Sequence, residues 1–269
     1  MKNFLYLLIF CSTYTFACWE NPIISDKPAI FILAMGANTG DEEDNKLKKA
    51  NYDAQSFANT IAKLLKVDDR NVCIRPNVKQ REFRDDLKKL QTLARPQDRV
   101  FIYFSGHGTK LLDDNNDEGC YDEVFVIHAD FGTDIHKVRD DFFIEQVNMI
   151  PTDNIITTID TCFAGGVLRG TKSCLNVKSK NLPFYDKNES LYVKDCPARG
   201  IKNLKGKVYM ASEEDKFALE FSDGGLFTTF FVKNIQKYKN FDTAFYITAE
   251  QVKTAAESCG QLQYPQRSN

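Results

Sequence analysis

Ala29 to Ala34 (AIFILA) is an unbroken apolar run stopped by Gly36, and behind it Leu47, Ala50, Ala54, Phe57, Ala58, Ile61, Leu64 and Leu65 recur at helical spacing between Asn45 and Lys66. The first pattern predicts a strand buried on both faces, the second an amphipathic helix. The alternation repeats with a strand at Val72 to Ile74, a helix at Gln80 to Ala94, a strand at Val100 to Phe104 and a helix near Asp140 to Met149. It ends with strands at Ile155 to Ile159 and Lys207 to Ala211 and a helix at Leu226 to Tyr238. Fully apolar strands alternating with helices predict an α/β fold, a mainly parallel sheet sandwiched between helices. Val167 to Lys205, rich in Lys, Asn, Pro and Ser, lacks clear periodicity and reads as a long exposed loop within one domain.

In open sheets of this kind, ligands bind beyond the carboxyl ends of the strands. The strand at Val100 to Phe104 runs directly into Ser105, Gly106, His107 and Gly108, and the strand at Ile155 to Ile159 into Asp160, Thr161 and Cys162, followed by Phe163, Ala164, Gly165 and Gly166. His107 and Cys162 thus leave neighbouring strands at the same edge, where an imidazole can reach a thiol. A lone histidine is more often buried and bonded to backbone, and a lone cysteine at a strand end is more often a small core hydrophobe. Together, in glycine-flanked strand ends, they point to a cysteine nucleophile with a histidine partner. The glycines let a substrate backbone approach and leave amide N–H groups aimed into the cleft.

Charge and cysteine content narrow the setting. Lys and Arg number 35 against 37 Asp and Glu, a balance that argues against nucleic acid as partner, and 269 residues suffice for one large core. The opening MKNFLYLLIFCSTYTFA sets Lys2 before an apolar run and ends in Thr15, Phe16 and Ala17, with small residues where a signal peptidase reads. The expectation is a signal peptide over 1–17 and a secreted or periplasmic domain over 18–269. The run from Phe4 to Phe10 is far short of the roughly 20 residues of a stable membrane span. Cys18 also raises lipoprotein anchoring, although Thr15 stands where such signals carry an aliphatic residue. Of the eight cysteines, Cys11 falls in the leader; the rest form an odd set, so an oxidising compartment leaves at least one thiol unpaired or pairing between chains. Cys174 and Cys196, which share the long loop, are the first choice for a disulfide. Zinc is disfavoured, because no CxxC pair occurs and His128 and His136 lie at no recognisable ligand spacing from cysteines.

SGHG at Ser105 to Gly108 and DTCFAGG at Asp160 to Gly166 resemble the two signature segments of the caspase-like cysteine peptidases of clan CD, above all the metacaspases and their bacterial relatives. The separation of His107 and Cys162 is comparable to the roughly 50 residues between these groups in caspases. The resemblance continues at Asn51 to Ala54, at Gly119 to Glu123, at Asp140 and Asp141, and in the small-subunit-like segments Ala211-Ser212, Gly225 to Thr228 and Gln263 to Gln266. Phe163 and Ala164 depart from the His-Ser that usually follows the metacaspase cysteine, which sets the chain outside the best-known eukaryotic branch.

The resemblance implies an endopeptidase in which Cys162 attacks the scissile carbonyl, His107 protonates the departing amine, and the backbone N–H groups of Gly108 and Cys162 hold the oxyanion. Asp53, Ser105 and Asp160 match the acidic S1 pocket, which implies protein or peptide substrates with Arg or Lys at P1. Asp53 taken alone reads equally well as solvated helix surface. Calcium is implied through Asp140 and Asp141, but carboxylates at a helix start are equally explained as partners of the helix dipole. Asp113 to Gly119 looks calcium-like and fails as an EF-hand, since Val124 or Phe125 stands where the twelfth-position Glu belongs. The loop after Cys162 carries Arg169, Lys172, Lys178, Lys180, Lys187, Lys194, Arg199 and Lys202, so an acidic pocket predicts self-processing there. Two other classes stay open: an inactive caspase-like binding module, and a transpeptidase or ligase using the same thioester chemistry.

Overall fold

The computed structural model describes residues 18–40, 46–112, 121–132, 135–162, 177–180, 203–213 and 216–268. The expected leader, the acidic stretch from Asp113 to Gly119, and Cys174 and Cys196 lie outside the described residues. Numbered along the chain, β1 (Ile30–Gly36), β2 (Val72–Pro76), β3 (Arg99–Ser105), β7 (Ile155–Asp160) and β9 (Lys207–Met210) pair in parallel, and β12 (Gln266–Ser268) closes the edge antiparallel to β9. Their spatial order is β12-β9-β7-β3-β1-β2.

Two helical layers cover this sheet, as the continuous apolar strands require. Phe31, Leu33 and Met35 of β1 join Phe83, Leu87 and Leu90 of α2 (Gln80–Leu93) and Phe143 of α3 (Asp140–Asn148) on one face. Ile32 and Ala34, with Phe101 and Tyr103 of β3, meet Phe57 of α1 (Ala50–Leu65), Phe231 of α4 (Leu226–Tyr238) and Phe245 of α5 (Phe241–Ser258) on the other. Successive side chains of a strand point to opposite faces, so burial on both removes any polar alternation.

α1 starts at Ala50, later than its apolar periodicity predicts. Leu47 donates its N–H to the Thr39 carbonyl, while Lys48 and Lys49 donate theirs to the Glu220 carboxylate at 2.8 and 3.0 Å, so a tertiary partner caps the helix. Gly36 permits the close approach: a Cβ there would stand 2.6 Å from the Ala50 carbonyl oxygen and 2.7 Å from Asn51 Cα. The end of β1 therefore touches the first turn of α1 and brings Asp53 over the carboxyl ends of the strands.

Two small sheets stand outside the predicted alternation. β4 (His107–Leu112), β5 (Tyr121–His128) and β6 (Ile135–Arg139) form an antiparallel three-stranded sheet. β8 (Lys178–Ser179), β10 (Leu219–Phe221) and β11 (Gly224–Gly225) form the second, with β10 in the middle. The reading of 167–205 as an exposed loop is corrected here for 177–180, because Lys178 and Ser179 pair with β10 and Lys180 is fully buried. No helix of the described residues is long and apolar enough to cross a membrane.

A Cys18–Cys73 disulfide ties the first described residues to β2, where Trp19 is buried edge-on against Phe31 and Lys89 Nζ donates to the Cys18 carbonyl at 2.6 Å. Cys259 is also in a disulfide, and Cys162 is a buried thiol. Closing a loop over a sequence separation of 55 limits the unfolded chain, so Cys73→Ser should lose about 2–4 kcal/mol in urea unfolding under non-reducing conditions. Superimposable wild-type and Cys73→Ser curves would contradict the crosslink.

Candidate active site

β3 and β7 are neighbours with Ser105 opposite Asp160 in register. His107 and Cys162, each two residues further on, consequently leave adjacent strands side by side, and both are buried. His107 opens β4, which belongs to the separate antiparallel sheet, and the buried Gly108 follows it there. The two groups predicted to perform chemistry thus share one strand edge.

Beside them lies a buried acidic chamber. Asp53 from α1, Ser105 from β3 and Asp160 from β7 are all buried, so the solvated-surface reading of Asp53 is excluded. Ser105 Oγ donates to Asp53 Oδ2 at 3.0 Å, and the Gly225 N–H lies 3.0 Å from each Asp53 oxygen. Thr228, in the first turn of α4, donates to Asp160 Oδ2 from its hydroxyl at 2.5 Å and from its backbone N–H at 3.2 Å.

The centre of the chamber is filled by Lys180. Its Nζ lies 2.8 Å from Ser105 Oγ, 3.2 Å from Asp53 Oδ2, 3.0 Å from Asp160 Oδ1 and 3.3 Å from the Asp160 carbonyl oxygen. Its backbone is held equally well: the Lys180 N–H donates to the Ala218 carbonyl at 2.8 Å, and the Lys180 carbonyl accepts the Gly108 N–H at 2.9 Å. Ser179 Oγ sits 3.8 Å from Cys162 Sγ. The segment 178–180 therefore lies as an added strand on β10, with a cationic side chain in the acidic chamber and its carbonyl on the N–H expected to bind an oxyanion.

The electrostatics follow from burial. Desolvation is the largest influence on Asp53 and raises its pKa to about 6; Asp160 pushes in the same direction, whereas Lys180 and the Gly225 N–H oppose it. Burial works against the charge on Lys180, but Asp160, Asp53 and Glu220 more than offset it and hold the ammonium above the ordinary lysine range. Two carboxylates in a dry chamber need a cation, and this one has it.

The structure brings Asp53, Ser105, Asp160, His107, Gly108 and Cys162 to one edge of the sheet, together with three residues that sequence reading did not single out. Lys180 was one basic residue among several in a polar tract. Gly225 and Thr228 were legible only as parts of a family-like segment. Gly225 is required because a Cβ there would overlap the Asp160 carboxylate and stand 2.5 Å from Lys180 Nζ. Asp140 and Asp141 lie elsewhere, in the first turn of α3, where carboxylates meet the positive end of the helix dipole. Among the described residues a group of three potential metal-ligating side chains is formed by Cys18, Cys73 and Asp86, whose sulfurs are already joined in a disulfide.

The comparisons agree with this geometry. Residues 35–170, just over half of the chain, match the family model described as metacaspase, peptidase C14 domain. Metacaspase-6 of Arabidopsis thaliana is 32% identical over 127 residues, which cover 46% of this chain and 32% of that protein. A crystal structure of a Geobacter sulfurreducens protein shares the fold with a TM-score of 0.59 at 17% identity, covering 90% of this chain and 93% of that one. Caspase-1 of Spodoptera frugiperda does so with a TM-score of 0.51 at 12% identity, covering 91% and 89%. The chain belongs to the metacaspase family of C14 peptidases and has the caspase-like α/β/α fold. The matched stretch spans about a third of the length of the first two curated metacaspases it resembles.

Because the pKa of Asp53 lies above its unfolded value, the folded state holds that proton more tightly. Its contribution to stability is greatest below about pH 4 and declines as the pH rises toward 6. In a Cys162→Ala protein, the Asp53 carboxyl carbon should titrate by NMR with a midpoint near pH 6. A midpoint near 4 would contradict the dry chamber.

Proposed function

We propose that this chain is an exported cysteine endopeptidase that cleaves after Lys or Arg and processes itself after Lys180. The observation that carries this reading is the double seat of Lys180, its ammonium between Asp53 and Asp160 and its carbonyl on the Gly108 N–H. A P1 residue of a substrate needs both contacts at once. An Asp at P1 would meet like charge in the same chamber and be rejected.

The chemistry is that of a Cys–His pair. The Cys162 thiolate attacks the Lys180 carbonyl carbon, the developing oxyanion keeps the Gly108 N–H and gains that of Cys162, and His107 delivers a proton to the departing amine of Asn181. Water then attacks the thioester, releasing the Lys180 carboxylate and restoring the thiol. Calcium rests on the family resemblance through Asp140 and Asp141, and no step is routed through it.

The Cys18–Cys73 disulfide supports export, since such bonds persist in oxidising compartments. It also occupies the sulfur that lipoprotein anchoring would need, which favours release after cleavage near Ala17. A fluorogenic panel with Arg, Lys, Ala or Asp at P1, run with and without calcium, tests the reading. Wild type should hydrolyse the Arg and Lys peptides, Cys162→Ala should hydrolyse none while melting at the wild-type temperature, and Asp160→Ala should lose basic substrates at least tenfold. Hydrolysis of the Asp peptide, or undiminished activity in Cys162→Ala, would defeat it.

A further inference from the structure

Asp160 has two carboxylate oxygens with different partners. Oδ1 faces the Lys180 ammonium, while Oδ2 is taken by Thr228 through both its hydroxyl and its backbone N–H. Behind Thr228 stands Tyr103, whose phenolic oxygen lies 2.5 Å from Thr228 Oγ1. Tyr103 is fully buried, stacked on Phe57 with ring centroids 4.5 Å apart, and burial together with Asp53 and Asp160 raises its pKa, which keeps it a neutral donor. The direction of the chain follows from proton count. Thr228 has one hydroxyl proton and gives it to Asp160, so Tyr103 must donate to Thr228.

We propose that Thr228, backed by Tyr103, is a positioning residue that turns Asp160 so that Oδ1 is presented to the P1 cation. This rests on the reading of the chamber as the S1 pocket. Without the hydroxyl, Oδ2 would keep only the longer N–H bond, and the buried carboxylate would be free to rotate. Thr228 does not touch the expected scissile bond or the Lys180 ammonium, so its influence should fall on binding of basic side chains and leave the chemical step alone.

Thr228→Val removes the hydroxyl at nearly constant shape, Thr228→Ser restores it, and Tyr103→Phe removes the second donor only. For an Arg-P1 peptide, Thr228→Val should raise KM on the order of tenfold with kcat within about threefold of wild type, because a hydrogen bond to a buried charge is lost. Thr228→Ser should return KM to wild type, and Tyr103→Phe should raise it by less than Thr228→Val does. Equal KM in wild type and Thr228→Val would overturn the inference, as would an equal loss of kcat in all three variants. Crystal structures of the Cys162→Ala protein with and without Thr228→Val provide a readout independent of hydrolysis. The Asp160 carboxylate should turn and lose its Oδ1 contact with Lys180 Nζ in the double variant, and an unchanged carboxylate would sink the positioning role. A wild type that ignores Arg and Lys peptides while Asp160 still turns in the double variant would reject the S1 assignment and keep the role of Thr228.

Discussion

Two carboxylates buried side by side impose the constraint on which the site depends. Asp53 and Asp160 come from a helix and a strand far apart in sequence, and each is held by backbone N–H groups from the segment 225–228. Desolvation and the neighbouring Asp160 both raise the pKa of Asp53. The Lys180 ammonium, fully buried beside both carboxylates, offsets the burial of negative charge. On the proposed reading, selectivity for a cationic side chain follows from the cost of leaving these acids without an opposite charge or of adding an anion.

That constraint also explains the architecture around it. Gly36 lets α1 approach the end of β1 closely enough to deliver Asp53, and Gly225 lets β11 cross over both acids without a side chain. The Glu220 carboxylate caps the start of α1 from β10, the same strand on which residues 178 and 179 lie. One short strand thus fixes the helix that carries Asp53 and aligns the peptide whose cation Asp53 meets. Positioning of the acid and docking of the chain are mechanically linked.

Much of this was legible in the sequence, and the failures have physical reasons. Apolar runs that end abruptly in glycine-flanked His107 and Cys162 announce strand ends at a common edge, whereas the register of Ser105 with Asp160 is tertiary information that only the structure supplies. The burial of Asp53 was undecided because a residue in the first helical turn is solvated or covered according to what packs on it, and that partner, Gly225, lies far along the chain. Lys180 was hidden because charge complementarity buries it, and charge complementarity leaves no periodic trace in a polar tract. The small antiparallel sheets were missed for two reasons: β8, β10 and β11 are only two or three residues long, and β4, β5 and β6, though longer, mix polar and apolar residues. α5 did carry a signal, with Ala244, Thr248, Val252 and Ala256 buried on one face, but small residues and a threonine make a faint apolar stripe.

The central claim is that the Lys180 side chain, seated between Asp53 and Asp160, selects the bond that the protein cuts in itself. The most direct measurement is the rate of cleavage between residues 180 and 181, followed by mass spectrometry of the purified protein, for wild type, Lys180→Arg and Lys180→Gln. Retention of the cation in Lys180→Arg should preserve cleavage at that bond within about tenfold, whereas Lys180→Gln, which leaves two buried acids uncompensated, should lose it by at least about a hundredfold. Undiminished cleavage at the same bond in Lys180→Gln, or a wild type whose first cut falls elsewhere, would contradict the account.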